Sequence, residues 1–468
     1  MSDVHTPDAE MARLASHALR YSIERIRMDP PPLDAPMPYE QMWAAVGETI
    51  TPEGIGGAEA LRIYTEVLAP SCISVDHPKF LSFVPGAPTE ASVIFDMVVS
   101  AAGIYTGSWL EGAGAVYAEN QTIRWIADLA GFPESAGGVF VSGGTAGNLS
   151  ALIAARHRWR ERAAGAHDRT RGLMVASSGA HSSVKQAARA MDADIVVVPA
   201  DTSGRLTRSA IETTVAELSA DDRARLFAVV ATSGTTNLGV VDDLMAVADV
   251  AAAHDVWFHV DGAYGAAALC APSVRHLFDG IERADSFIVD PHKWLFGPYD
   301  SCALVYRNVH DGRRAHTQHA EYLDVLHGEQ DDTKPWLEMN PADVAHHLSR
   351  RARGLPLWFS LAMHGSDAYS KAMEKTLEVT RAGAEEIRRR PYLELLLEPD
   401  LSILVFRRRG WEPASYQRWS DSQLFGGESF VVPSSWNGES VLRFCIVNPR
   451  TTVRHLVEIL DSLQEDPA

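Results

Sequence analysis

The sequence predicts an α/β protein, a mostly parallel sheet covered by helices, with a helical arm before it and a smaller α+β unit after it. Three observations lead there. Short apolar runs (VFV at 139–141, LMVA at 173–176, DIVVV at 194–198, FAVVAT at 227–232, VWFHVD at 256–261 and SFIVD at 286–290) alternate with helical stretches, as expected of strands buried on both faces and joined by crossover helices. At 468 residues the chain exceeds what one core usually serves, so flanking units are expected. The apolar patterning also changes character near both ends.

Residues 1–75 read as the arm: helices broken by Asp29-Pro30-Pro31-Pro32, with apolar residues at helical spacing from Ala58 to Leu68. Residues 76–375 hold the strand-and-helix alternation and form the expected large domain. In residues 376–468 the end of a long polar helix, Asp367 to Arg390, leads to LSILVFRRR at 401–409, and VLRFCIV at 441–447 precedes a final helix. That order suits a small α+β domain. No internal repeat at solenoid period is visible.

A formal net charge of −19 repels phosphate backbones and anionic lipid heads, which points away from nucleic acid and membrane and toward a small polar ligand. The acidic, amphipathic start carries no signal pattern, and no apolar run approaches membrane-spanning length, so a cytoplasmic protein is expected. Cys72, Cys270, Cys302 and Cys445 are scattered without CxxC pairing, the usage of reduced thiols rather than of disulfides or a zinc site. No metal is expected.

Five segments carry chemistry. Ser142-Gly143-Gly144-Thr145-Ala146-Gly147-Asn148 follows a strand and opens a helix running to about Trp159, so its amides can approach a phosphate at a helix N-terminus; a plain glycine-rich turn would read the same way. In His259-Val260-Asp261-Gly262-Ala263-Tyr264, Asp261 ends a buried strand, where open α/β sheets present ligand-binding groups. It could keep a pyridine nitrogen protonated, or simply cap a helix. Asp290-Pro291-His292-Lys293-Trp294 closes another strand with one of only six lysines in the chain. Burial is expected to lower the pKa of Lys293 and free its amine to attack an aldehyde. Ala180-His181-Ser182-Ser183 and Thr232-Ser233-Gly234-Thr235-Thr236 end further strands, where an imidazole and hydroxyls could meet a ring or merely satisfy their own loops. The order of the five, each at a strand end, is the informative feature.

With these in place the sequence resembles the group II pyridoxal 5′-phosphate (PLP)-dependent amino-acid decarboxylases, the family of aromatic-L-amino-acid and glutamate decarboxylases, over about Leu68 to Asp461. HPKF at 77–80, GSW at 107–109, SRRARGLPLW at 349–358 and VLRFCIVNPRTT at 441–452 match as well. The resemblance implies PLP fold type I with a seven-stranded sheet, and a homodimer whose arm wraps the partner and whose active sites lie at the interface. It also implies Lys293 as the Schiff-base lysine, Asp261 as the pyridinium partner and His181 stacked on the cofactor ring. Gly144, Thr145 and His292 would hold the phosphate, Ala263 would pack on the other ring face, and Thr236 would lie near the ring substituents.

Three departures fall where the family handles substrate. The family's mobile loop carries a tyrosine that protonates the reacting carbon; counting back from Arg350, its position falls on Pro341, and Glu338 to His347 holds no tyrosine. Where aromatic decarboxylases follow phenylalanine and proline with a threonine near the substrate carboxylate, this chain reads Val84-Pro85-Gly86. The aromatic wall expected before Ser108-Trp109 is Thr106-Gly107. Decarboxylation to an amine or, without the tyrosine, to an aldehyde is therefore expected. The alternatives are β-elimination from an S-substituted cysteine in a secondary-metabolite pathway and a cofactor-free binding protein. His316, His319, Tyr322 and Trp336 lie in or near the segment from Gln318 to Pro341 and could reach an active site, although a solvated loop explains each as well.

Overall fold

The computed structural model describes His5 and residues 9–162, 170–321 and 338–466. Seven strands make the large sheet: β1 (Gly137–Val141), β2 (Leu173–Ser177), β3 (Asp194–Val198), β4 (Leu226–Thr232), β5 (Trp257–Asp261), β6 (Ser286–Val289) and β7 (Cys302–Tyr306). Their order is β1-β7-β6-β5-β4-β2-β3. Neighbours from β6 to β3 are parallel, while β7 runs antiparallel to both β6 and β1. The mostly parallel seven-stranded sheet is thus the one the sequence leads to expect. Strand β7 escaped the sequence reading because it returns directly from β6 with no crossover helix between them, so the alternation does not mark it.

Residue alternation along the strands sorts the core into two apolar layers. Phe258, Val260, Phe287 and Val289 point into one, and Trp257, Ile288 and Leu304 into the other. The helix Gly144–Arg162 packs across the second layer. The same period of two places Trp257, His259 and Asp261 of β5 on that helix's side of the sheet.

A second, antiparallel sheet follows: β8 (Leu393–Leu395), β9 (Ile403–Arg408), β10 (Ser434–Trp436) and β11 (Glu439–Cys445), ordered β10-β11-β9-β8. Helices Ser366–Arg388, Pro413–Phe425 and Val453–Asp461 cover it over a core that includes Ile387, Phe406, Phe444 and Leu460. At the other end of the chain, helices Ala9–Ile26 and Tyr39–Val46 contain no buried residue. Arg25 tethers the first of them through two bonds to the Asp76 carboxylate, at 2.8 and 3.1 Å. The helix expected from Ala58 to Leu68 is Gly57–Ile63, continued by a wider turn of five residues, Tyr64–Leu68.

One matching motif has a purely structural account. Arg350 of SRRARG is buried against Glu119, with nitrogen–oxygen distances of 2.8 and 2.9 Å, and donates to the Thr106 carbonyl at 2.9 Å. The Gly354 amide completes the cage around Glu119 at 2.8 Å. No disulfide links the four cysteines, and among the described residues no helix is long and apolar enough to cross a membrane and no cluster could hold a metal ion.

Candidate active site

The carboxyl ends of β1, β2, β4, β5 and β6 open on one side of the sheet, where an open α/β fold binds its ligand. They border a cavity of about 420 Å³. Gly144, Thr145, His181, Thr236, Asp261, Ala263, His292 and Lys293, all eight residues singled out from the sequence, line it. Tertiary structure therefore gathers segments spread over about 150 residues of chain.

At one end lies the glycine-rich turn. The first bond inside its helix runs from Gly147 N to Gly143 O at 3.0 Å, which leaves the amides of Gly144, Thr145 and Ala146 without an intrahelical acceptor. Small residues are required here by contact distance. A Cβ on Gly144 would lie 3.2 Å from both the Ala263 methyl and Asp290 Oδ2, and one on Gly147 would lie 2.8 Å from Ile288 Cγ2. Amides at a helix start form an anion cradle.

At the other end Asp261, only 3% exposed, accepts from Asn148 Nδ2 at 2.9 Å and from the Ala263 amide at 3.2 Å. Asn148 also donates to Ser183 Oγ at 2.9 Å, and Ser183 lies 2.8 Å from His181 Nδ1. His181 caps the helix Ser182–Ala190, which fixes its ring at the rim of the cavity.

Lys293 behaves otherwise than the sequence suggests. Burial pulls its pKa down, as expected, but Asp290 Oδ2 lies 2.9 Å from Nζ, and that carboxylate, with Asp261 and Cys302 adding to it, offsets burial and leaves the ammonium above its ordinary 10.5. The amine is thus held protonated by a residue of its own turn. His292 Nδ1 lies 2.6 Å from the Ser301 carbonyl; burial lowers its pKa.

A phosphorylated pyridine aldehyde fits these groups. The amide cradle suits the phosphate, the acceptor-only Asp261 suits a protonated ring nitrogen, and Lys293 offers the amine. Two buried oxygens on cavity-lining residues, Thr232 Oγ1 and Asp290 Oδ1, have no hydrogen-bond partner among the described residues.

Several lining or adjacent residues were not read from the sequence. Asn148 stands one helical turn after Gly144 and His259 two residues before Asp261, so each shares the face of a residue already singled out. Tyr299 contributes a half-exposed phenol, its ring 4.8 Å from that of His292, and a Cβ on Gly86 would meet that ring at 3.5 Å. Arg443 of the second sheet donates to the carbonyls of Phe83 at 2.6 Å and Thr236 at 2.8 Å. No local pattern announces either of these. His316 is buried away from the cavity, with Nε2 3.0 Å from the Ser150 carbonyl, and His319 is exposed. Tyr322 and Trp336 lie outside the described residues. Pro341 is buried in a short turn whose next amide, Ala342 N, donates to Gly107 O at 2.9 Å.

The model of the pyridoxal-dependent decarboxylase conserved domain matches residues 59–409. An aromatic-L-amino-acid decarboxylase of Bacillus atrophaeus is 31% identical over 426 residues, 88% of this chain and 86% of that protein. An L-2,4-diaminobutyrate decarboxylase of Rhizobium meliloti is 30% identical over 424 residues, covering 88% and 82%. The crystal structure of Oryza sativa TDC with PLP and tryptamine superposes with a TM-score of 0.87 over 99% of each chain at 22% identity, a likeness of fold.

Proposed function

Because this chain belongs to the pyridoxal-dependent decarboxylase family, PLP-dependent carbon–carbon lyases, we propose that it removes the carboxylate of a small α-amino acid and releases an amine. The observation that carries this reading is the single cavity in which Lys293, Asp261 and the Gly144–Thr145 cradle converge. When bound, PLP supplies an electron-withdrawing ring conjugated to the substrate nitrogen. Lys293 would hold it covalently, and the amides of Gly144 and Thr145 with His292 would hold the phosphate. Asp261 would keep the ring nitrogen charged, His181 and Ala263 would confine the ring between them, and Thr236 would meet its substituents. The walls decide which bond at Cα stands perpendicular to the ring and so which one breaks.

A carbon that has lost CO₂ needs a proton. Tyr299 brings a phenol to the wall beside His292, which favours the amine. The lack of a tyrosine from Glu338 to His347 favours a second reading, in which oxygen meets that carbon and an aldehyde forms. The two named relatives act on aromatic and diamino substrates respectively, so both classes belong in the assay.

The working unit we propose is a homodimer. Ile94, Val98, Leu110, Tyr117 and Met363 are exposed on helices beside the large sheet, and the arm exposes Met11, Leu19, Ile23 and Trp43. So much exposed apolar surface suits contact with a second copy. The test is aerobic and anaerobic incubation of the PLP-loaded protein with aromatic, diamino, acidic and S-substituted amino acids, following CO₂, oxygen and pyruvate by mass spectrometry. CO₂ and amine without oxygen use are expected. Oxygen use with aldehyde would replace the amine reading, and pyruvate from an S-substituted substrate without CO₂ would overturn decarboxylation.

A further inference from the structure

Behind the cavity the hydrogen bonds run in one direction. An indole N–H can only donate, and Trp257 Nε1 reaches Ser286 Oγ at 2.8 Å. The same oxygen lies 2.8 Å from His259 Nδ1, to which the Ser286 hydroxyl can give its own proton. His259 is fully buried, and burial lowers its pKa to about 4, so the ring is neutral and its one proton sits on Nε2, 2.9 Å from Asn148 Oδ1. With that oxygen accepting, the Asn148 amide points Nδ2 at both Asp261 Oδ2 and Ser183 Oγ, each at 2.9 Å. Ser183 in turn passes its hydroxyl proton to His181 Nδ1 at 2.8 Å, and the same nitrogen accepts the Ser183 amide at 3.2 Å.

The reverse polarity fails at Asn148. Ser286 Oγ has lone pairs enough to accept from both the indole and His259, but a bare His259 Nε2 would turn Asn148 Oδ1 onto the Asp261 carboxylate, leaving two acceptors face to face. Every member from the indole to the imidazole is thereby held in one proton arrangement.

We propose that this one-way chain, from Trp257 to Ser183, holds Asp261 as an acceptor-only carboxylate and, together with the Ser183 amide, His181 as the Nε2–H tautomer, with Asn148 and His259 as positioning residues. The proposal rests on His181 and Asp261 contacting the cofactor ring. Asn148 donates directly to Asp261 and reaches His181 only through Ser183 Oγ, and His259 orients Asn148 much as outer partners orient metal-bound side chains.

The experiment is ¹⁵N spectroscopy of the PLP-loaded, histidine-labelled protein at pH 8, with His181→Gln and His259→Gln used only to assign signals. Both rings are expected to show a protonated Nε2 and a bare Nδ1; a protonated Nδ1 on either overturns the proposal, and this needs no variant to fold as a test. In Asn148→Leu the Ser183 amide still donates to His181 Nδ1, so the readout is Asp261: PLP affinity measured by titrating the apoprotein should fall roughly ten- to hundredfold, the usual effect of deleting a hydrogen bond to a charged group. Unchanged affinity in that variant would also overturn it. Expected tautomers in a protein that releases no CO₂ would instead count against the decarboxylase reading and leave the chain intact.

Discussion

Replacing Asp290 by asparagine keeps the shape of the cavity but removes the charge that holds Lys293 protonated. The carboxylate lies 2.9 Å from Nζ, where two unit charges interact by about 6 kcal/mol at an effective dielectric constant of about 20. An opposite charge at such range typically moves a pKa by about 1–3 units. Burial, the largest influence on Lys293, already pulls downward, so the variant lysine should titrate below the native one. Only the free amine attacks an aldehyde, and its population at pH 7 should therefore rise. The assay is the rate at which apoprotein takes up PLP, followed by absorbance and expressed as the ratio of Asp290→Asn to native protein from pH 6.5 to 10. Ionisation of the free cofactor cancels in that ratio. It should be largest near neutrality and fall as the variant lysine loses its proton. A ratio that stays flat with pH would refute the argument, because relief of repulsion between Asp290 and the phosphate alone changes the rate without shifting the lysine's titration.

Other regions give equally direct tests. Burial holds His316 at a pKa of about 4, against 6.5 for an ordinary histidine, so the unfolded chain binds the proton first and stability drops as pH falls from about 6.5 toward 4. Between pH 7 and 5 the native protein should lose about 2 kcal/mol more than His316→Gln in urea unfolding, and equal losses would show that the ring is not held neutral. Arg350→Met strands the Glu119 carboxylate and should cost roughly 3–5 kcal/mol in the same assay, most of it recovered by adding Glu119→Met. In Gly262→Ala the new methyl would stand 2.4 Å from the Ala266 Cβ and 2.8 Å from Ile288 O. Overpacking of that kind costs about 1–3 kcal/mol and must displace Asp261 or Ala263, so PLP affinity should fall while the thermal midpoint moves by only a few degrees. An unchanged affinity would mean that the β5–Ala263 turn yields without moving the site.

The sequence by itself determined the large sheet and which residues meet at the candidate site. Parallel strands buried on both faces must be written as apolar runs, so β1 to β6 are legible, and a ligand at their carboxyl ends requires its groups to follow those runs directly, as Asp261 follows VWFHV and Lys293 follows SFIVD. The three-residue strands β8 and β10 are too short for alternation or length to mark them, and β7 follows β6 with no crossover helix to announce it. Tertiary structure alone decided how the site's groups act on one another. Lys293 ends more firmly protonated than burial implies because the fold turns Asp290 back onto it, and Tyr299 and Arg443 reach the site through turns and pairings that no local pattern encodes. The proton order from Trp257 to His181 likewise exists only once a helix residue, Asn148, is packed between two strand residues. Burial can be read from a run of residues, but charge pairing and hydrogen-bond direction depend on which distant groups come within about 3 Å of each other.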